Sequence, residues 1–219
     1  MANLGLMDAA VNRRRYDATK RRAAAERTRD RILAAARSLF LQHGYERTAV
    51  ADIAEQAGVS IDTVYAAVGR KPALVRLVVD DLLGEGRGPV AAEQRQYVEQ
   101  IRSAPTAPEK VAIYAAALAR LHPQTAALIE ALGEAGRSDP ECLQAWTDLR
   151  KRRAANMRRF AADLRATGQL RPDLPDRTVA DLVWATNSPE YFLLLASRGW
   201  TASDYEAHLV DLWSRLLLA

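Results

Sequence analysis

An all-α protein is the fold class that the sequence predicts. Alanine and leucine dominate the composition, which is 49% hydrophobic and 6% aromatic, with few runs of β-branched residues. Apolar residues also recur at the spacing of helix faces. Breaks in this pattern divide the 219 residues into a basic N-terminal arm at 1–22, a small three-helix domain at 23–83 and a larger helical domain at 84–219.

Charge is unevenly distributed along the chain, whose net charge is +4. Residues 1–31 carry nine cations against four anions, whereas residues 173–219 carry three cations against seven anions. This asymmetry indicates that the N-terminal part meets a polyanion, although an ordinary solvated surface is an equally simple explanation. The single Cys142 excludes an internal disulfide and fits a reducing cytosol.

Several function classes lack their motifs. The sequence has no CxxC pair or His/Cys cluster for a metal, and no GxSxG, HExxH, Walker or nucleotide-binding motif. No apolar run has the length of a signal peptide or a membrane span. We therefore expect a cytoplasmic protein without catalytic residues, cofactor, metal or membrane contact.

The part of the chain before the second predicted helix contains a basic stretch and an amphipathic helix. The basic stretch "NRRRYDATKRR" at 12–22 is either a flexible arm that reaches a DNA minor groove or a solvated tail. An amphipathic helix follows, with apolar residues from Ile32 to Phe40, and Gly44 marks its end. His43 in the last turn is expected to be a capping or surface residue.

A second helix is predicted from Val50 to Ala57, with a turn at Gly58 and a third helix that begins after Ser60 as its N-cap. Val64 and Val68 should face the core. The outer face then holds four residues, namely Ile61, Asp62, Tyr65 and Ala66. Two short helices joined in this way have the spacing of a helix-turn-helix, which presents its second helix to a DNA groove.

The wider segment "RILAAARSLFLQHGYERTAVADIAEQAGVSIDTVYAAVGRKPALVRLVVDDLL" resembles the DNA-binding domain of TetR-type transcriptional regulators. The resemblance rests on Phe40, Gly44-Tyr45, Thr48, Ile53-Ala54, Ala57-Gly58-Val59-Ser60, Thr63, Tyr65, Lys71 and Leu74. The C-terminal stretch "VWATNSPEYFLLLASRGWTASDYEAHLVDLWSRLLL" is similar to the end of many such regulators, but more weakly. The resemblance implies a three-helix reading domain and a helical domain that dimerises and often encloses an effector.

Carried over residue by residue, the resemblance makes Thr48, Thr63, Tyr65 and Lys71 contacts to DNA phosphates, with Ser60 at the helix N-terminus. Ala49, Asp62, Ala67, Val68 and Gly69-Arg70 depart from the family pattern, and Arg70 is a candidate substitute contact.

Base reading would then fall to the outer face of the third helix. Asp62 is suited to accept from cytosine and Ile61 to touch a thymine methyl group. Alternatively, Asp62 only complements the helix dipole and Ile61 is buried against the first helix.

Further helices are expected near 108–121, 123–135, 140–167, 176–196 and 202–218, with a kink at Pro189 that frees a carbonyl near Ala185. Glycines 84, 86 and 88 with Pro89 and the stretch "SAPTAP" at 103–108 indicate joints. The basic run "RKRRAANMRR" at 150–159 is interpreted as a solvated helix surface in preference to a second nucleic-acid patch.

The last two helices carry more apolar surface than a small monomer would bury, which predicts a two-fold four-helix interface. Its candidate residues are Leu182, Phe192, Leu195, Leu209, Leu212, Trp213 and Leu216. The aromatic residues of this domain are either plain core or the walls of a cavity for a small hydrophobic effector. In the second case the cavity would be lined by Tyr114, Leu118, His122, Trp146, Trp184, Asn187 and Tyr191.

The function that these patterns predict is a homodimeric, TetR-type DNA-binding repressor of a near-palindromic operator, released by a small-molecule effector. Two other classes stay open. Turnover of a bound molecule would indicate an enzyme, and absence of salt-dependent duplex binding would indicate a helical protein-binding adaptor.

Overall fold

The structure of the protein, a computed structural model, describes residues 4–84 and 90–219, with side chains in the first helix from residue 20 onward. All regular elements in these residues are helical, apart from one isolated bridge between Leu170 and Leu218, which confirms the predicted fold class. The helices are α1 Leu4–Arg47, α2 Val50–Ala57, α3 Ile61–Val68, α4 Lys71–Leu83, α5 Gln96–Ser103, α6 Ala107–Ala135, α7 Pro140–Arg165, α8 Asp176–Thr186, α9 Pro189–Ala196 and α10 Ala202–Leu217.

Helix α1 is interrupted where the sequence predicts its end. Gly44 has φ 76° and ψ 176°, a backbone conformation outside the helical region that glycine adopts without a steric penalty. At the other end, α1 already begins at Leu4, so the backbone of residues 4–22 continues the helix and does not form a separate extended arm. Most side chains of the basic stretch at 12–22 lie outside the described residues, and a role for them in DNA binding stays a prediction.

Helix α2 begins and ends at the predicted residues, and α3 begins after Ser60 as predicted. Gly58 adopts the left-handed conformation with φ 64°, and its N–H donates to the Glu55 carbonyl at 3.0 Å. The Ser60 hydroxyl accepts the Thr63 N–H at 3.1 Å and so caps α3. Because both signals are local, the sequence alone was enough to locate this turn.

The C-terminal helices differ from the prediction at two prolines. Helix α6 runs through Pro123, although a break was expected there. Side chains of the next two residues donate to nearby helical carbonyls, Gln124 to Arg120 at 3.3 Å and Thr125 to Leu121 at 2.9 Å. Buried packing on both sides of the proline then holds the helix together.

The single kinked helix expected at 176–196 is instead two helices, α8 and α9. Ser188 caps α9 by accepting the Tyr191 N–H at 3.0 Å, and Pro189 occupies the first helical position. Proline suits that position because its missing N–H would have no partner there. The predicted kink at Pro189 was therefore wrong. Helix α5, within a segment expected to be a joint, was not predicted at all.

Two apolar cores organise the molecule. One joins α1–α4 to the facing ends of α6 and α7, and it includes Ile53, Val64, Leu132 and Cys142. The other lies among α5–α10 around the fully buried Trp213. Helix α4 packs against α1, α6 and α7 and thus connects the two parts. Although α4 ends at Leu83, the division of the chain into domains there stays a prediction.

Candidate nucleic-acid interface and cavity

The outward face of α3 consists of the residues that the sequence pattern placed there. Val64 and Val68 are buried under the helix, whereas Ile61 and Tyr65 are 42% and 45% exposed, one turn apart. Asp62 and Ala66 are exposed beside them. The burial of Ile61 that was considered as an alternative does not occur. Two large apolar side chains on one exposed helical turn are available for contact with a partner.

Hydroxyl and guanidinium groups flank this face. The Ser60 and Thr63 hydroxyl oxygens lie 2.8 Å apart at the N-terminus of α3, close to its free backbone N–H groups. Arg70, just before α4, reaches Glu141 of α7 at 3.1 Å in an exposed pair. Exposed ion pairs contribute little to stability, so Glu141 holds the Arg70 guanidinium only weakly.

Lys71 makes contacts within the protein, at the end of α1. Its Nζ atom lies 4.2 Å from the centre of the Tyr45 ring and donates to the Glu46 carbonyl at 3.4 Å. Partial burial lowers the pKa of Lys71, and the nearby Glu46 carboxylate opposes this shift. The ammonium group therefore holds the start of α4 against the end of α1.

Thr48 does not fit the phosphate contact that was predicted for it. Its side chain is 1% exposed, and its hydroxyl lies 2.8 Å from the Gly44 carbonyl and 3.2 Å from that of Leu39. These distances show that the hydroxyl holds the turn between α1 and α2. A structural role explains the residue, because a buried hydroxyl must find an acceptor within the protein.

A cavity of about 470 Å³ lies between α4, α5, α6 and α7, and the start of α9 closes one side. Four of the seven predicted residues line it, namely Tyr114, Leu118, His122 and Asn187. Its volume falls within the range of small-molecule sites.

The other three predicted lining residues lie elsewhere. Trp146 and Trp184 both lie close to Arg150, whose guanidinium carbon is 4.4 Å and 5.1 Å from their ring centres. The Tyr191 hydroxyl lies 2.6 Å from His208 Nε2, towards α10. Aromatic residues at helical spacing could not show which face of their helices meets the cavity.

A buried polar network lies at one end of the cavity. Asn187 is fully buried; its amide donates to the Tyr114 hydroxyl at 2.6 Å, and its side-chain oxygen accepts from Arg153. Burial, followed by the charge of Arg153, lowers the pKa of His122 to about 3. His122 is therefore neutral at physiological pH, and its Nδ1 atom is buried without a hydrogen-bond partner among the described residues.

Charged residues on the cavity wall were missed by the sequence interpretation. Four arginines of the run at 150–159, expected to be a solvated helix surface, line the cavity: Arg150, Arg152, Arg153 and Arg159. Arg95 and Asp80 add a buried cation and a buried anion. One face of α7 carries Arg152, Asn156 and Arg159, which are spaced four and three residues apart and all line the cavity. This spacing was the only signal in the basic run that these polar residues share a face.

The predicted dimer-interface residues fall into two groups. Phe192, Leu209 and Trp213 are buried inside the monomer, so their assignment to an interface was wrong. Trp213 stacks on Tyr114 with ring centres 5.6 Å apart. The other residues are only partly buried, and they are Leu182, Leu195, Leu212 and Leu216.

The described residues hold neither a cluster of metal ligands nor a helix that could span a membrane. They contain no group of three or more His, Cys, Asp or Glu side chains that could hold a metal ion. Their helices also include none that combines the length and the apolar character of a membrane span.

The N-terminal part of the chain is similar in sequence to known proteins. Residues 32–77 match the family model described as bacterial regulatory proteins, tetR family. A 52-residue segment is 46% identical to the HTH-type transcriptional repressor ComR of Escherichia coli K12. That match covers 24% of this chain and spans about a quarter of the length of ComR.

Solved structures share the whole fold. A protein from Rhodococcus sp., described as a TetR-family transcriptional regulator, aligns over 88% of this chain and 99% of its own, with a TM-score of 0.68 and 16% identity. FadR from Bacillus subtilis, solved with stearoyl-CoA, aligns over 83% and 95%, with a TM-score of 0.62 and 19% identity. Similarity at this level of identity establishes the fold, while the N-terminal match identifies the DNA-binding domain. The N-terminal segment of the chain therefore matches the DNA-binding domain of TetR-family regulators, and the chain shares the fold of solved regulators described as members of that family.

Proposed function

We propose that the protein is a cytoplasmic transcriptional repressor that binds a near-palindromic DNA operator as a homodimer and is released by a small-molecule effector. The exposed face of α3 carries this proposal. Ile61 and Tyr65 project from a short, capped helix whose other face is fixed by Val64 and Val68. A helix held in this way fits a DNA major groove, where its side chains meet base edges.

The proposed DNA contacts follow from the geometry around α3. Ile61, Asp62 and Tyr65 would meet bases or the adjacent backbone. Ser60, Thr63, Arg70 and Lys71 would donate to phosphates. Thr48 is left out because it is buried.

The dimer would form through α8 and α10. Leu182 on α8 and Leu212 and Leu216 on α10 are only partly covered in the monomer, and the last two lie one turn apart. A two-fold four-helix interface would cover them and place two reading helices about one DNA turn (~34 Å) apart.

Effector release would begin at the cavity. FadR from Bacillus subtilis, which has the same fold, was solved with stearoyl-CoA, and this supports the use of the helical domain as a ligand site. In this chain the cavity reaches α4 through Val79, Asp80 and Leu83. An effector that prefers a state in which α4 has moved would shift the population away from DNA, to the extent of its differential affinity.

Selection of randomised duplexes by the purified protein tests this function. We expect enrichment of one sequence with two inverted half-sites, because a symmetric dimer reads both. Lys71→Ala should weaken binding to the enriched duplex, and Lys151→Ala is the matched control because Lys151 is exposed on α7, away from α3.

The adaptor alternative predicts a different result. An adaptor would enrich no sequence and would show no salt-dependent duplex binding. Enrichment of a single, unpaired half-site would contradict the dimer while leaving DNA recognition by α3 intact.

A further inference from the structure

A cluster of three charges, two of them buried, lies where the cavity meets α4. Asp80 of α4 is 8% exposed and Arg95, just before α5, is 7% exposed. Asp80 Oδ2 is 3.1 Å from Arg152 of α7, and its Oδ1 is 3.8 Å from Arg95. All three residues line the cavity. The cluster therefore joins the helix that supports the reading domain to two walls of the candidate effector site.

Arg95 is poorly satisfied for a buried guanidinium. Among the described residues, its Nε atom has no hydrogen-bond partner and its Nη1 atom donates only to the Tyr97 hydroxyl, at 3.4 Å. The nearest carboxylate oxygen in this part of the chain, Asp80 Oδ1, lies beyond hydrogen-bonding distance and has no hydrogen-bond partner there either. Buried charges without partners are costly, so the Arg95 guanidinium has donors available for an acceptor group that a ligand would supply.

The charges around the cavity give the sign of that group. Arg95 and Arg152 share one carboxylate, Asp80, which leaves one positive charge in excess. Glu93 does not compensate, because it pairs with Arg159. Over the whole described lining, six arginines face four carboxylates. An anion would thus be attracted to this end of the cavity.

The rest of the cavity is suited to an apolar body. An aromatic wall consists of Tyr97, Tyr114 and Phe160. The ring centre of Tyr114 lies 6.2 Å from that of Tyr97 and 4.9 Å from that of Phe160. Leu118 and Leu121 line the neighbouring turns of α6. A ligand with an oxyanion at one end and an apolar remainder matches both halves of the site.

We propose that the cavity binds an amphipathic anion whose oxyanion group takes the place of Asp80 at Arg95 and Arg152. Release of Asp80 then detaches α4 from α5 and α7. The chemical class of the ligand is inferred from the cavity alone. Its effect on DNA rests on the proposed function, since it needs a reading domain that α4 positions.

Binding is tested with the purified full-length protein and two carboxylates of different shape, decanoate and naphthoate. Isothermal calorimetry compares them with the uncharged decanol and naphthol. We expect at least one carboxylate to bind roughly tenfold or more tightly than its alcohol, because charge-assisted hydrogen bonds to buried guanidinium groups are strong. Equal affinity of acid and alcohol, or no binding of either carboxylate, overturns the proposal.

Three variants separate this site from general electrostatic attraction. Arg95→Gln and Arg152→Gln should each remove most of the preference for the carboxylate. Asp80→Asn should instead tighten carboxylate binding by roughly tenfold, because the competing anion is gone. Arg152 is partly exposed, so its variant provides a result even if Arg95→Gln fails to fold.

Asp81→Asn is the matched control for Asp80→Asn. Asp81 carries the same charge one residue further along α4, but it pairs with Arg37 of α1 at 3.4 Å and does not line the cavity. Its substitution should leave carboxylate affinity unchanged. Unchanged or weaker binding by Asp80→Asn, or equal tightening by both variants, contradicts the exchange of Asp80 for a ligand.

A parallel measurement of duplex affinity keeps the two proposals apart. If the carboxylate binds through Arg95 but the protein enriches no duplex, the anion site stands and the regulator function fails. If the protein reads DNA but no carboxylate binds, the regulator function stands and the anion site is overturned. If both hold, the carboxylate should weaken duplex binding by the wild type and not by Asp80→Asn.

Discussion

The reading domain and the helical domain differ in where they place their polar side chains. In α2 and α3 the polar side chains are exposed or cap helix ends, and the core beneath them consists of Ile53, Ala54, Val64 and Val68. The core around the cavity contains buried Arg95, Lys110, His122, Thr125, Asn187 and Ser188. A presented surface needs a rigid apolar support, whereas a ligand cavity needs polar groups inside.

This difference predicts where substitutions act. Changes in the helical domain should alter stability and ligand binding, and changes on the outer face of α3 should alter DNA binding with little effect on stability.

Trp213→Ala should have the largest effect on stability. The side chain is fully buried, stacks on Tyr114 and donates from Nε1 to the Thr186 hydroxyl at 2.8 Å. Its removal leaves a cavity and should lower the free energy of unfolding by about 3–5 kcal/mol. Urea denaturation measures the loss. A loss below about 1 kcal/mol would contradict the packing of α10 against α6.

His122 should make the stability of the helical domain sensitive to acid. Because burial lowers its pKa from 6.5 to about 3 in the folded protein, the unfolded chain binds a proton first as the pH falls. The stability that neutral His122 provides is complete above about pH 6.5 and is lost as the pH falls towards 3.

The measurement compares wild type with His122→Gln, which cannot titrate. The free energy of unfolding of the wild type should fall more steeply between about pH 6.5 and 4.5, by an amount on the order of 2 kcal/mol. Parallel pH profiles for the two proteins would show that His122 is not held neutral by the fold.

Tyr65→Ala should separate DNA binding from stability. The side chain is 45% exposed, so its loss should change the free energy of unfolding by no more than about 0.5 kcal/mol. Affinity for the enriched duplex should fall by about 1–3 kcal/mol, as expected for a residue at the DNA interface. Fluorescence anisotropy and urea denaturation measure the two quantities. A loss of stability with unchanged affinity would place Tyr65 in a structural role.

Ser60→Ala should have the smallest effect and act through the cap of α3. Without the hydroxyl, the Thr63 N–H loses its acceptor and stability should fall by about 1 kcal/mol. Ser60→Gly should cost only a few tenths of a kcal/mol by the same measurement, because glycine is tolerated at an N-cap. Equal losses for the two variants would indicate that the hydroxyl bond is not what stabilises α3.

The same contrast explains what could be predicted from the sequence. Gly58 and Ser60 act on their own neighbours, so the bounds of α2 and the start of α3 followed directly from local signals. In the helical domain, the effect of Pro123 depended on packing across α6, and the position of Trp213 depended on the rotation of α10. Tertiary contacts decide such features, and a single sequence does not show them.

The cavity illustrates this limit for function. Arg95 and Arg152 are distant in sequence and meet Asp80 only when α4, α5 and α7 pack together. The spacing of Arg152, Asn156 and Arg159 placed them on one face of α7, but it could not show whether that face was internal or solvated. Only the assembled fold showed that buried charge, and not aromatic residues alone, characterises this site.

The most direct test of the account compares affinity for the enriched duplex with affinity for a scrambled duplex of the same length, at several salt concentrations. Specific reading by α3 predicts that the enriched duplex binds at least roughly 1,000-fold more tightly, and that both affinities fall steeply with salt. Equal affinity for the two duplexes at every salt concentration would contradict sequence recognition by α3 and leave only a general attraction to polyanions.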